Sequence, residues 1–392
     1  MIPTKQKKII GILTGGGDVP GLNPAIGGIV KRANNEGFKV IGIKRGYAGL
    51  VEMVRNKNAD NSDCYEEFPP IFQIATSITE EWFLHSSRTN PEKLLQEDVP
   101  DHLKDKYSES QNDVTPEIIK NIEYLQLDYL VVIGGNDTLK YSLRLHKEGI
   151  KIIAIPKTMD GDVSGTDYCI GFSTCITRII SMILTLSMSA GSHERFLVIE
   201  VFGRSAGFTA MLPTIAGVAN RCVIPESEFN IPQLAELMVI DRAKNPGKFS
   251  TVVISEGAKF KGMTPENNYR IGEKVAQKLH KISAKFNNGK KVDTIVQNLG
   301  YLVRSGVPDA TDSIVPIAYG NIAMDIISDG KSGMMTALRD GVYTAVDLNL
   351  IDQSPKTINV EKFYDKYNLQ PKIDSYMSMP QLIINGTTIL SK

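Results

Sequence analysis

With 392 residues, 42% hydrophobic and 22% charged, the chain is long enough for two lobes of ordinary size and has the balance of a globular protein in water. Lysine plus arginine and aspartate plus glutamate both total 44, so no global field points to nucleic acid or to an anionic membrane. Any bound anion must therefore meet local positive charge. Four cysteines, Cys64, Cys169, Cys175 and Cys222, show no metal-ligand spacing, which points to a reduced, cytoplasmic compartment.

The polar start, Met1 to Lys8, leads into an apolar run and is not expected to be a secretory signal. The pattern then predicts strand Lys8–Leu13, helix Leu22–Asn35 and strand Lys39–Ile43, followed by an irregular polar region from about Arg55 to Asn112. Regularity resumes with helix Pro116–Leu125, strand Tyr129–Ile133, helix Thr138–Lys147 and strand Lys151–Ile155. Next come helix Ser173–Met188, strand Phe196–Val201, helix Ala206–Ala216, helix Pro232–Asn245 and strand Ser250–Ser255. Helix Ile271–Phe286, strand Lys291–Gln297, helix Ala310–Asp329 and a mixed tail complete the order. No run is expected to span a membrane; Ile176–Ser189, broken by Arg178, is expected to be a buried helix. Alternation at this spacing implies parallel sheets flanked by helices, with lobes that exchange segments because no linker is visible.

Chemistry concentrates where predicted strands end. The first exits into Thr14-Gly15-Gly16-Gly17-Asp18, where glycines let backbone amides approach an anion, although such a cluster is equally a tight turn. The second exits into Gly134-Gly135-Asn136-Asp137-Thr138, with Thr138 expected to cap the following helix. The third exits into Pro156-Lys157-Thr158-Met159-Asp160-Gly161-Asp162. Two carboxylates one residue apart are a turn, a helix cap or a catalytic pair, and the adjacent lysine suits a phosphoryl oxygen. Aligned along one sheet edge, these exits would make a polyphosphate site. Arg204, just after strand Phe196–Val201, is placed to grip an oxyanion or else is merely solvated. Glu256 and Arg304 repeat the pattern of a polar residue beyond an apolar strand, and Glu256 suits a sugar hydroxyl.

Five ordered motifs carry a family resemblance: 15–23, 134–139, 156–162, Gly-Thr-Asp-Tyr-x-Ile-Gly-Phe at 165–172 and Phe-Gly-Arg at 202–204. Together they resemble the phosphofructokinase family of the ATP- and pyrophosphate-using type, over about residues 8–345, and most resemble its pyrophosphate-dependent branch. The resemblance implies an α/β fold of two Rossmann-like lobes, with the active site in the cleft between them. One lobe is expected at 1–171 plus about 303–350 and binds the donor; the other, at 172–302 plus about 351–392, binds the sugar phosphate. It implies Asp160 as the base that takes the proton from the sugar C1 hydroxyl, with Asp162 and Lys157 beside it and Arg204 stabilising the transferring group. Gly16, Gly17, Arg88, Asp137 and Thr138 fall to the donor phosphates. Thr158, Phe202, Gly203, Glu256, Tyr301 and Arg304 fall to fructose 6-phosphate, with Arg195 contributed by a neighbouring copy in a homodimer or homotetramer. Mg²⁺ is the implied cofactor, on Asp137 and Asn136.

Asp137 stands where ATP users commonly have glycine, and its side chain would obstruct and repel an α-phosphate. Lys157 also replaces a common glycine, so pyrophosphate is the expected donor, with ATP as the alternative. Departures from the pattern are Asn136 for an acid, Glu80-Glu81-Trp82 before Ser86-Ser87-Arg88, Tyr301 and Val303, and Ile295 for an interface arginine. Gly27, in place of a frequent arginine, implies no nucleotide-regulated allostery. These changes leave room for another acceptor such as sedoheptulose 7-phosphate, or for a non-catalytic sugar-phosphate-binding subunit.

Overall fold

The computed structural model describes residues 8–69, 84–263 and 270–373. In chain order the elements begin β1 (Ile9–Gly15), α1 (Leu22–Asn35), β2 (Lys39–Ile43), α2 (Tyr47–Glu52), β3 (Tyr65–Glu67), β4 (Leu94–Leu95) and β5 (Gln111–Asn112). They continue α3 (Thr115–Tyr124), β6 (Tyr129–Gly134), α4 (Asn136–Lys147), β7 (Ile152–Pro156), α5 (Phe172–Ser192), β8 (Phe196–Val201) and α6 (Phe208–Ile215). Then follow β9 (Arg221–Val223), α7 (Ile231–Lys244), β10 (Ser250–Ser255), α8 (Ile271–Ser283), β11 (Thr294–Asn298), α9 (Ala310–Ser328), β12 (Met334–Arg339) and β13 (Val342–Asp347). The described tail holds α10 (Val360–Phe363), β14 (Tyr364–Asp365) and β15 (Gln370–Pro371). The expected α/β architecture of mostly parallel sheets flanked by helices is present.

The chain divides into two compact units: residues 1–158, 163–171 and 306–354 in the first, and 159–162, 172–305 and 355–392 in the second. The first unit is built on a seven-stranded sheet ordered β13-β12-β7-β6-β1-β2-β3. Its five central strands run parallel, and β13 and β3 close the edges antiparallel. The fully buried runs of β6 and β7 are what a sheet covered on both faces requires. Strand order reverses between β1 and β6, and such a switch point leaves a crevice at the carboxyl ends of the strands. Helix α2 precedes the irregular stretch, whose described residues hold three short strands, and the stretch is pinned by Glu117, a buried carboxylate that pairs with Arg55 and Lys106.

The second unit is built on a four-stranded parallel sheet ordered β11-β8-β10-β9. Its tail is stitched to the same body: Arg221 pairs with Asp241 and donates to the Asn368 carbonyl, and the Tyr364 hydroxyl donates to the Cys222 carbonyl.

Two expectations are corrected here. Helix α5 is not a buried helix. It runs 21 residues and is apolar enough in length and composition to cross a membrane, yet only one side of it is covered. Phe172, Cys175, Ile179 and Ile183 are buried, while Leu184 and Met188 are 54% and 80% exposed. Nor does Thr138 cap α4, because the helix begins two residues earlier, with Gly135 at the cap and no side-chain cap bond.

Candidate active site

The first unit supplies three adjacent turns. Register sets Gly15 beside Gly134 and Gly134 beside Pro156, so the loops after β1, β6 and β7 leave the sheet at one end. The displaced Thr138 explains two of the glycines. A Cβ at Gly15 or at Gly134 would stand 2.5 Å from the Thr138 methyl, so this side chain is packed beneath the loops. Gly16 donates its amide to the Ser87 carbonyl at 2.7 Å, which places Arg88, itself exposed, beside the first loop. Lys157 is buried, and its Nζ donates to the Gly17 carbonyl at 2.7 Å. The ammonium is thus fixed beneath Gly16 and Gly17. Asn136 and Asp137 form the first turn of α4, the asparagine half-buried and the carboxylate exposed at the positive end of the helix. The Thr158 amide donates to the Ile170 carbonyl at 3.2 Å. Glu80, Glu81 and Trp82 lie outside the described residues.

The second unit, described by itself, carries acids and arginines. Asp160 and Asp162 lie close enough to interact, with Glu256 and Arg204 also in range. Burial pushes the Asp160 carboxyl up to about 7, the neighbouring charges of Asp162 and Glu256 push the same way, and Arg204 opposes them. The Asp162 carbonyl accepts from the Lys356 amide at 2.8 Å, which ties the acidic loop to the tail.

Three neighbouring strands present the remaining groups: Val201 pairs with Ser255, and Glu200 pairs with Asn298. The turns bearing Phe202–Arg204, Glu256 and Tyr301–Arg304 therefore start side by side. Gly203, at φ +124°, has no room for a Cβ, which would meet the Ala206 carbonyl at 2.6 Å. Arg204 is exposed. Arg304 is buried, its guanidinium 5.7 Å from the Phe202 ring centre and 5.4 Å from that of Tyr301, so both rings orient the charge. Arg195, half-buried just before β8, keeps its Nε without a hydrogen-bond partner among the described residues. Ile295 lies in β11 beside Leu197.

A family model described as phosphofructokinase matches residues 9–327. The chain belongs to the phosphofructokinase family. Its chemistry is accordingly phosphoryl transfer to fructose 6-phosphate. The chain is 34% identical over 383 residues to a pyrophosphate–fructose 6-phosphate 1-phosphotransferase of Dictyoglomus thermophilum, covering 92% of this chain and all of that protein. It is 33% identical over 350 residues to an ATP-dependent 6-phosphofructokinase of Chloroflexus aurantiacus, covering 88% of this chain and 90% of the relative. The fold is also that of a pyrophosphate-dependent phosphofructokinase structure from Nitrosospira multiformis, at a TM-score of 0.71 and 18% identity over 93% of this chain and 89% of the other.

Sequence reasoning passed over two polar residues in this unit, Glu200 and Asn298. The available signal was Glu200 itself, a carboxylate inside the otherwise apolar run of β8.

Proposed function

We propose that this chain transfers a phosphoryl group from pyrophosphate to the C1 hydroxyl of fructose 6-phosphate, reversibly. The observation that carries the reading is Asp160. A base that takes a proton from a hydroxyl works best with a pKa near the working pH, and the Asp160 carboxyl is raised to about 7. The C1 oxygen attacks one phosphorus and its proton passes to Asp160. The bond to the bridging oxygen breaks, and inorganic phosphate leaves. Positioning and charge stabilisation carry such a transfer without a covalent enzyme intermediate. Arg204 is assigned to the transferring group, Glu256 to a sugar hydroxyl, and Arg304, with Thr158, Phe202, Gly203 and Tyr301, to the sugar-phosphate end. Gly16, Gly17, Arg88 and Thr138 are assigned to the donor.

Lys157 and Asp137 support pyrophosphate. The lysine puts a fixed positive charge under the donor loop, and Asp137 sets an exposed carboxylate at the start of α4, where a nucleotide's α-phosphate would be repelled. Asn136 and Asp137 offer the oxygen donors that a magnesium ion shared with a phosphate substrate needs. Mg²⁺, when bound, offsets the charge of the reacting phosphates. Formation of fructose 1,6-bisphosphate is expected with pyrophosphate and Mg²⁺ but not with ATP, and Asp137→Gly is expected to gain ATP turnover. Turnover of the unaltered protein with ATP alone would establish the second reading, favoured by the ATP-dependent relatives of similar identity.

The half-covered helix α5 supports a homo-oligomer in which a second copy's Arg195 completes the sugar-phosphate site. Tyr301, 74% exposed, and Leu302 lie on the short turn that packs beside α5 and extend its apolar surface. Met188→Glu is expected to dissociate the assembly in light scattering and to raise the KM for the sugar. A monomeric native protein would end this proposal.

A further inference from the structure

We infer that Glu200 is a positioning residue for the sugar-phosphate end of the site, joining through one buried carboxylate the turn that bears Arg304 to the start of α8. The inference rests on the proposed assignment of Arg304 and Glu256 to the sugar substrate.

Glu200 is 5% exposed, in a strand whose other side chains are apolar. Each of its oxygens has a separate task. Oε1 accepts from Asn298 Nδ2 at 2.8 Å, and Oε2 accepts from the Gly272 amide at 2.7 Å in the first turn of α8. Its own carbonyl accepts from the Leu299 amide at 3.0 Å. Asn298 is the last residue of β11, and the next six residues form the turn that ends at Arg304. One residue therefore fixes the base of the turn by both main chain and side chain.

Packing alone would not call for an acid here. Burying a carboxylate is costly, and the neighbours Val198, Ile199 and Val201 fill the same strand without that cost. What a valine cannot do is accept two hydrogen bonds from two different elements. Glu256 follows Ser255, which pairs with Val201, and its charge acts on Glu200. Burial raises the Glu200 carboxyl above the ordinary range; the Gly272 amide opposes it, the charges of Glu256 and Glu273 add to the rise, and Arg270 offsets part of it.

The test uses the full chain with Asn298→Val and with the exchanged pair Glu200→Gln/Asn298→Asp. In the exchanged pair the glutamine amide donates to the aspartate while its oxygen keeps the Gly272 bond, so both contacts and the net charge survive. Hydrogen exchange of residues 299–304 is measured together with steady-state kinetics toward fructose 6-phosphate. Asn298→Val is expected to speed exchange in the turn and to raise the KM for the sugar roughly tenfold with kcat within about twofold. The exchanged pair is expected to restore both. Unchanged exchange, or faster exchange with an unchanged KM, overturns the inference, as does failure of the exchanged pair to recover when it is folded by circular dichroism. If the unaltered protein neither binds nor turns over fructose 6-phosphate, the functional reading fails instead. The positioning of the turn is then decided by hydrogen exchange alone.

Discussion

Asp160→Asn is expected to lower kcat by about a thousandfold or more and, at pH 8, to raise the melting temperature. The first effect follows from removing the group assigned to take the hydroxyl proton, a role that contributes roughly 10²–10⁴-fold. The second follows from linkage. The folded Asp160 carboxyl has a pKa of about 7, whereas an unperturbed one lies near 3.8. Between those values the folded state holds a proton that the unfolded state has released, so this group makes stability fall as pH rises through the window. Above pH 7 the folded protein carries the full cost of a crowded, partly buried negative charge beside Asp162 and Glu256. Asparagine has the same shape and no charge. Its gain at pH 8 should be on the order of 1–3 kcal/mol after discounting for partial exposure, and should vanish near pH 4.

Melting curves at pH 4, 6 and 8 for the two proteins check the sign. A variant less stable than the parent at pH 8 would mean that the charge is favourably held, and the case for a base poised near neutrality would go with it. The same titration predicts an acid limb in kcat/KM centred near pH 7. Removing the opposing charge by Arg204→Met should move that limb to higher pH, with activity also reduced.

Much of this arrangement was legible because strand ends announce themselves. Apolar runs that stop at glycine, proline or a charged residue located β1, β6, β7, β8 and β10 closely, and those ends lead into the candidate residues. Relations across the sheet were not legible. Nothing along the chain says that Glu200 meets both Gly272 and Asn298, since 72 and 98 residues separate the partners. Helix α5 was misjudged because apolar composition alone does not tell a face against the core from a face left open. The start of α4 was misplaced for a different reason: threonine is a good cap, but here it packs between two glycine turns and Gly135 takes the cap position. Helix α2 was passed over because six residues are too few for periodicity to register.

Gly320→Ala is expected to destabilise the protein by about 1–3 kcal/mol, against the usual preference for alanine within a helix. Gly320 lies inside α9, where alanine would ordinarily gain about 0.5–1 kcal/mol. Here α9 crosses α1 at backbone distance. A Cβ on Gly320 would stand 2.7 Å from the Ala25 carbonyl oxygen and 3.0 Å from the Ile29 nitrogen. From the other helix, a Cβ on Gly28 would stand 2.9 Å from the Ile317 carbonyl oxygen. These neighbours are main chain and cannot rotate away, so relief requires the helices to part. Parting them opens space around Ala25, Ile29, Tyr319 and Ala323, which are now fully buried. The displacement also has a route to the site, because α1 begins at Leu22, directly after the loop that bears Gly16 and Gly17. The variant should therefore melt lower in calorimetry and, while folded, show a raised KM for the phosphoryl donor with the KM for the sugar less affected. A variant as stable as the parent would show that the α1–α9 contact can yield, so that the donor loop does not depend on these two glycines for its position.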